Sequence, residues 1–405
     1  MPLYSYFAKS LDGKEKEGTL EAKDERELAA ILREEGYILI LANQKEKKKK
    51  PKISFSFFQR KISLKEKLFF VRNLQVMISA GISIPKALNS LAEQTKNKRF
   101  KKILLNLAEE ITKGKNFSEA ILSFPDVFSE FFQNMIKVGE ETGNLENVLL
   151  KVAEQMEREY ELKNRVVGAL IYPAVILTFM VLEGILMLAF VVPKLSQAFK
   201  ELEVSLPFTT KIVISLGDFF TKYWYFLALF VFLIFFLFQF LKKTETFKKF
   251  IDKIFLSLPI ISPIVKNLNS AFFARSLSTL FSSGVPIIDS LEITSNTLDN
   301  FYFKSTLKDG IEKIKKGEKL SQILKNYPNI FPQTVIEMMA VGEETGQTAE
   351  VLGKLADFFE EEVTNATKNL VSVIEPLIMI LVGAVVGFFA VSMVQPMYSM
   401  MQTIK

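Results

Sequence analysis

The sequence matches itself at one fixed offset of 203 residues, the separation of Gly81 and Gly284. At that offset Phe69-Phe70 meets Phe272-Phe273, Arg72 meets Arg275, Leu88 meets Leu291, Gly114 meets Gly317 and Pro125 meets Pro328. The run Val138-Gly139-Glu140-Glu141-Thr142-Gly143 returns intact as Val341-Gly342-Glu343-Glu344-Thr345-Gly346. Pro173, Gly184 and Pro193 match Pro376, Gly387 and Pro396. No gap is needed from about residue 66 to residue 197, so the chain is a tandem duplication. Whatever one copy folds into, the chain holds twice, in the same order.

Each copy ends in a stretch apolar enough to span a bilayer, which takes about 20 residues. These are residues 167–193 and 370–395; a third apolar run, 223–241, lies between them and has no duplicate. Glu183 sits near the middle of the first stretch. A mid-membrane carboxylate costs about 3 kcal/mol on the insertion scale. More than a dozen Leu, Ile, Phe and Val residues each return about 0.3–0.6 kcal/mol, so the segment is expected to span. Two parallel copies with their soluble parts on one side need a return helix, and 223–241 supplies it. This differs from the inverted repeats of many secondary transporters. Tyr223, Trp224 and Tyr225 mark one end of the return helix, and Lys242, Lys243, Lys248, Lys249 and Lys253 follow the other. Lysines favour the cytoplasmic side, although residues 194–221 still hold Lys194, Lys200 and Lys211. The expected topology has a cytoplasmic N-terminus and a periplasmic C-terminus.

Composition agrees with a protein divided between membrane and water: 49% of the 405 residues are hydrophobic and 24% charged, with a mean hydropathy of +0.21. There are 38 Phe against one Trp. The net charge of +6 is spread over many lysines; its densest run, Lys45 to Lys50 broken by Glu46, precedes Pro51. It reads as a solvated linker near an anionic membrane surface. A nucleic-acid face would need base-stacking aromatics beside the basic residues, so no nucleic-acid partner is expected. Cysteine and histidine are both absent, which excludes disulfides, Cys or His zinc sites and Ser-His-Asp or Cys-His catalysis. No G-x-x-x-x-G-K-[ST] phosphate loop occurs. No catalytic centre, cofactor or metal is expected, and any nucleotide hydrolysis must come from another chain. Met1 to Lys9 is polar and aromatic, unlike a cleavable signal.

Within a copy the pattern is helical. Ser63 and Glu66 form an S-x-x-E capping box, Ala80-Gly81 breaks the first helix, and Pro85 and Pro286 are expected in the first turn of the next. Further helices are expected over 98–112, 117–123 and 127–138, then a long one from Asn144 towards the membrane, with Glu154, Glu157, Arg158, Glu159 and Glu161 on its soluble part. Residues 1–42 read as a separate α/β module. Strands cover Tyr4–Lys9 and Glu17–Glu21 with Gly13 in the turn, a helix capped by Asp24 ends at Gly36, and Tyr37–Leu41 is a third strand. The expected fold class is mainly α: a polytopic membrane protein with two tandem-duplicated cytoplasmic helical bundles, three transmembrane helices and a small N-terminal α/β module. The expected parts are that module, a basic linker (43–62), bundle one (63–166), the first span (167–193), a periplasmic segment (194–222) and the second span (223–241). A basic connector (242–265), bundle two (266–369), the third span (370–395) and a periplasmic tail (396–405) follow.

Several residues stand out. The pair of Gly-Glu-Glu-Thr-Gly runs, 139–143 and 342–346, reads as a helix–turn–helix corner, with glycines for the turn and carboxylates near a helix N-terminus. An acidic cation or partner site is the alternative, weakened by the lack of further oxygen ligands. Glu183 is a candidate for a subunit interface or a transiting membrane partner, or else a carboxylic acid held neutral among helices. Its repeat mate is Val386. Pro173 and Pro376 are candidate kinks, and Gly184, Gly383 and Gly387 candidate close-packing positions.

Together these features resemble a known family. Tyr6-Phe7-Ala8, Asp12-Gly13-Lys14, Gly18-Thr19-Leu20-Glu21-Ala22, Ser283-Gly284-Val285-Pro286, the two Gly-Glu-Glu-Thr-Gly runs, Tyr172-Pro173 and Glu375-Pro376 occur in order along the whole chain. The sequence resembles the GspF/PilC platform proteins of type II secretion and type IV pili. Copy one departs by reading Gly81-Ile82-Ser83-Ile84-Pro85, its proline displaced by two residues. The resemblance implies a non-catalytic bacterial inner-membrane scaffold, at least dimeric. Its implied partners are a cytoplasmic hexameric assembly or secretion ATPase, pilin or pseudopilin subunits, other inner-membrane assembly components and membrane lipids. The competing reading is an oligomeric transporter or channel using Glu183.

Overall fold

The computed structural model describes residues 3–10, 15–45, 61–201, 208–242 and 244–403. Gly13, Lys243 and most of the basic linker lie outside them. The chain divides into two units, residues 1–61 and 62–405.

In the first unit β1 (Leu3–Ser10) pairs antiparallel with both β2 (Glu15–Glu21) and β3 (Tyr37–Lys45). The helix α1 (Glu25–Glu34) buries Leu28 and Leu32 against Tyr4, Tyr6 and Ala8, the alternate residues of β1. Asp24 caps α1 by accepting the Glu27 N–H at 2.8 Å. β3 runs past the expected end at Leu41 because β1 pairs with it as far as Leu3↔Lys45.

In the second unit copy one forms α2 (Leu64–Ser79), α3 (Ile84–Gln94), α4 (Lys98–Thr112), α5 (Phe117–Leu122), α6 (Glu130–Glu141) and α7 (Leu145–Leu186). A π-helical turn, Met187–Val191, leads into α8 (Val192–Glu201), then α9 (Phe208–Leu241) and α10 (Glu245–Ser257). Copy two forms α11 (Ser262–Phe281), α12 (Ile287–Thr297), α13 (Phe301–Ile314), α14 (Leu320–Leu324), α15 (Gln333–Thr345) and α16 (Thr348–Thr403).

Local signals explain the element ends. The Ser63–Glu66 box is reciprocal: Ser63 Oγ accepts from Glu66 N at 3.2 Å, and Glu66 accepts from Ser63 N at 2.7 Å. Gly81 (φ 78°) and Gly284 (φ 80°) turn the chain identically. Ile82 N and Val285 N each donate at 3.0 Å, to Met77 O and Leu280 O, so the displaced proline leaves the turn unchanged. Pro286 is the cap of α12 rather than part of its first turn, whereas Pro85 is inside α3. α6 starts at Glu130, later than expected, because Ser129 Oγ caps it through the Phe132 N–H, and it runs on to Glu141.

Each bundle is centred on three phenylalanines, and the two sets correspond at the repeat offset. Phe70 lies 5.4 Å from Phe100 and 6.0 Å from Phe128; Phe331 lies 5.2 Å from Phe273 and 4.7 Å from Phe303. Such tilted pairs add about 0.5–1.5 kcal/mol each beyond their buried area. Neither core closes within its own copy. Leu280 and Ile293 of copy two complete the first, and Leu162 of copy one enters the second. The bundles therefore interlock.

Among the described residues two helices, within Leu145–Lys194 and Thr348–Gln395, are long and apolar enough to cross a membrane. The central run is less regular: α9 leaves helical geometry at Tyr223 (φ −118°, ψ 19°), and its apolar part Leu229–Leu241 is shorter. α10 and α11 together are also apolar, but they meet at 111°. α11 cannot face lipid all round, because Phe273, Ala274, Leu277 and Leu280 are buried in the protein core. At the far end of the apolar helices, Leu188, Val192 and Val213 pack with Phe220, Phe389 and Met393. Gly217 makes this approach close, since a Cβ there would stand 3.0 Å from the Leu188 carbonyl oxygen. Thr210 Oγ1 donates to Ser392 O at 2.7 Å. The start of α9, within the stretch expected as a periplasmic segment, is thus a helix clamped onto both long helices.

Candidate functional site at the seam between the copies

The Gly-Glu-Glu-Thr-Gly runs divide their work by position. Gly143 (φ 66°) and Gly346 (φ 72°) take the left-handed conformation the corner needs. Gly139 and Gly342 are helical instead, and they let the next helix approach: added Cβ atoms would meet Leu145 Cα at 3.1 Å and Thr348 Cα at 3.0 Å. Thr142 Oγ1 and Thr345 Oγ1 donate back to Val138 O and Val341 O. The first glutamate of each run does sit at a helix N-terminus, though not that of the following helix. Glu140 accepts from Phe117 N at 2.8 Å, Ser118 N at 2.9 Å and Ser118 Oγ, tying α6 to α5. Glu343 accepts from Leu320 N at 2.7 Å and from Ser321 N and Oγ, tying α15 to α14. The second glutamates are exposed, Glu141 lying 3.9 Å from Lys137.

A charge cluster joins the copies. Arg72 Nη1 bonds Glu157 at 2.6 Å, and the repeat-equivalent Arg275 Nε bonds Glu360 at 2.9 Å. In copy one the pair is open to solvent. In copy two Arg275 also bonds Asp357, and Arg158 of copy one reaches across to Glu360 at 3.0 Å. Burial opposes the Arg275 charge, but Asp357 and Glu360 outweigh it and hold the guanidinium above its usual pKa. Seven residues after Arg158, Arg165 bonds Thr364 at 2.8 Å. Lys151 Nζ donates to Ser282 O at 3.0 Å, and Asn296 donates to Glu130 at 2.8 Å. The sequence carries the signal, because Glu157 and Glu360 repeat at the offset of Arg72 and Arg275, but the repeat alone does not say that the two positions pair.

Between α7 and α11 these groups border a polar cleft of about 510 Å³, lined by Glu154, Gln155, Glu161, Arg275 and Ser278 among others. Its charges pair outside the lining: Glu157 with Arg72, Glu161 with Arg165, and both Arg158 and Arg275 with Glu360. Among the described residues no group of three or more His, Cys, Asp or Glu side chains could hold a metal ion. On the opposite side of α7, Lys67 is half-buried beside Phe70 and Phe128. Burial lowers its pKa below the usual 10.5, Glu159 opposing and Arg99 and Lys163 reinforcing the shift. Its charge therefore costs stability below the depressed folded value, and the cost fades as pH rises towards 10.5. Lys67→Met is expected to stabilise the chain at neutral pH, the gain shrinking through that alkaline window in melts taken against pH.

The apolar helices carry the remaining candidates. Glu183 is exposed on α7, one turn before the π-helical turn, and Val386 is exposed at the equivalent place on α16. Gly184, Gly383 and Gly387 have no atom within 4 Å of an added Cβ, so no helix among the described residues packs on them. The helices run through both Pro173, which is buried, and Pro376, which is exposed.

Two interlocked bundles, cross-braced by charge and each continued as one helix long and apolar enough to cross a membrane, define a tandem-repeat helical scaffold. The chain belongs to the family described as "Type II secretion system (T2SS), protein F": that family's model matches residues 70–193 and again 273–396, the same 203-residue offset. The family's N-terminal domain matches residues 1–41. The chain is 33% identical to the type IV pilus assembly protein PilC of Thermus thermophilus over 404 residues, covering 100% of this chain and 99% of that protein. It is 31% identical to PilC of Myxococcus xanthus (98% of this chain, 94% of the relative). It is 29% identical to type II secretion system protein F of Aeromonas hydrophila (93% and 97%). The resemblance drawn from the ordered motifs is the family membership.

Proposed function

We propose that the chain is a non-catalytic inner-membrane platform that couples a cytoplasmic hexameric ATPase to insertion or extraction of pilin or pseudopilin subunits, in type IV pilus assembly or type II secretion. Both bundles and the N-terminal unit face the cytoplasm, the C-terminus faces the periplasm, and α9 is the return span. One observation carries the reading: the bundles are braced to each other at Arg158, Arg275 and Glu360, and α7 and α16 continue from that brace into the apolar segments. A push on either bundle then reaches the membrane without a flexible joint. The chain has no cysteine, so Leu122→Cys and Lys325→Cys, at equivalent places on α5 and just past α14, can carry photo-crosslinkers in cells. At least one should capture the ATPase. Failure of crosslinkers on both bundles to reach it would overturn the assignment of roles.

Glu183 is the place where another membrane helix, from a second copy or a passing subunit, meets α7. Its exposure on an apolar helix supports that reading. An interhelical hydrogen bond contributes about 1–2 kcal/mol, so Glu183→Leu, which removes every hydrogen-bonding atom of the side chain, is expected to weaken self-association or filament assembly roughly five- to thirtyfold. Normal assembly in that variant would remove the role. The same exposed carboxyl supports a second reading, a transporter or channel, which solute flux through vesicles holding this chain alone would favour.

A further inference from the structure

The segment after the return span was expected as a plain basic connector; it is the amphipathic helix α10. One face docks on bundle two: Asp252 accepts the Phe301 N–H at 2.8 Å, Lys249 Nζ lies 4.4 Å from the Phe301 ring centre, and Leu256 packs against the second core. At about 100° per residue, Phe247, Phe250, Ile251, Ile254, Phe255 and Leu258 fall within an arc of about 140° on the other side. None of α10 is buried; Phe250 is 61% exposed, and Ile254, Phe255 and Leu258 are exposed with it. Lys248 and Lys253 flank this arc on its two sides. The helix starts where the apolar run of α9 ends, and the Phe247 ring meets Phe238 of that run edge to face at 5.9 Å.

We propose that α10 lies in the plane of the cytoplasmic membrane surface, its apolar arc among the lipid tails and its lysines on anionic headgroups, holding bundle two against the bilayer. Charge supports a lipid occupant. Lys304 of α13 is held below the ordinary lysine pKa by burial and by the nearby charges of Lys308 and Lys248, a crowding that anionic headgroups relieve. Continuity supports it too, since a helix hinged directly to a membrane span cannot reach far from the headgroups. The inference rests on the membrane topology proposed above.

The cysteine-free chain allows a direct test. Phe250→Cys, Ile254→Cys, Ile380→Cys and Leu122→Cys variants of the full chain carry nitroxide labels in vesicles of phosphatidylcholine and phosphatidylglycerol. Depth is measured by collision with oxygen against a water-soluble nickel complex. The label at 380 should be deep, that at 122 aqueous, and those at 250 and 254 about 5–10 Å below the headgroup boundary. Omitting phosphatidylglycerol should move the last two outwards, and no movement would overturn the charge-dependent docking. Aqueous labels at 250 and 254 with a deep 380 would overturn the proposal while leaving the topology standing, as would labels as deep as 380, which mean that α10 enters the bilayer. An aqueous label at 380 would overturn the topology itself.

Discussion

Arg275→Met is expected to destabilise the second bundle by about 3 kcal/mol, the lower end of what removing one partner of a buried ion pair costs. The Arg275 and Glu360 side chains are only 18% and 11% exposed, so the substitution strands a carboxylate that water reaches poorly. Arg158 remains beside Glu360 and softens the loss. The repeat-equivalent change, Arg72→Met, breaks the same pair where it is 59% and 40% exposed, and surface pairs contribute about 0–1 kcal/mol. Thermal melting of the detergent-solubilised chain compares the two directly. Equal effects would show that burial does not separate the copies in this way. Lost bracing should also appear as faster amide exchange in the first half of α16.

The repeated glutamates give the second large contrast. Glu343→Ala removes one carboxylate from two backbone N–H groups and a hydroxyl at the start of α14, and Glu140→Ala does the same at α5. Hydrogen bonds to a charged acceptor contribute about 1.5–3 kcal/mol, and each single variant is expected to lose about 2–3 kcal/mol of its bundle's stability. Glu344→Ala and Glu141→Ala, one residue on, are expected to stay within about 0.5 kcal/mol, as exposed substitutions do. A stable Glu343→Ala chain that fails to assemble filaments would instead make this carboxylate part of a contact with another protein.

Features whose partners lie close in sequence were open to reading. The Ser63–Glu66 box, the Asp24 cap and the breaks at Gly81 and Gly284 depend on atoms within a few residues, and all are present as expected. The duplication was legible because it repeats whole rows of residues. Distant pairings were not. Glu360 bonds Arg158 across 202 residues, and nothing in local periodicity announces which charge on an exposed helical face will turn inwards. The two glutamates of each run look identical in sequence. Only the direction in which the end of α6 or α15 faces decides that Glu140 and Glu343 cap a short helix while Glu141 and Glu344 stay in solvent. The character of α10 was hidden for another reason: its lysines dominate the composition, and its apolar arc emerges only when the residues are wound at helical pitch.

The winding of α7 has a consequence of its own. Arg158 and Arg165 are seven residues apart and Glu183 follows eighteen later, so at 3.6 residues per turn all three leave the axis on nearly one bearing. The helix runs through Pro173 without a break, so the count of turns holds. The compass direction of the Glu183 carboxyl is therefore set by the two arginines that grip α16, about 27 Å (Arg165) and about 38 Å (Arg158) back along the axis. A roll of α7 at the seam would swing Glu183 through the same angle, turning it towards one neighbour or away from it. Such a roll would make the long helix a drive shaft as well as a strut.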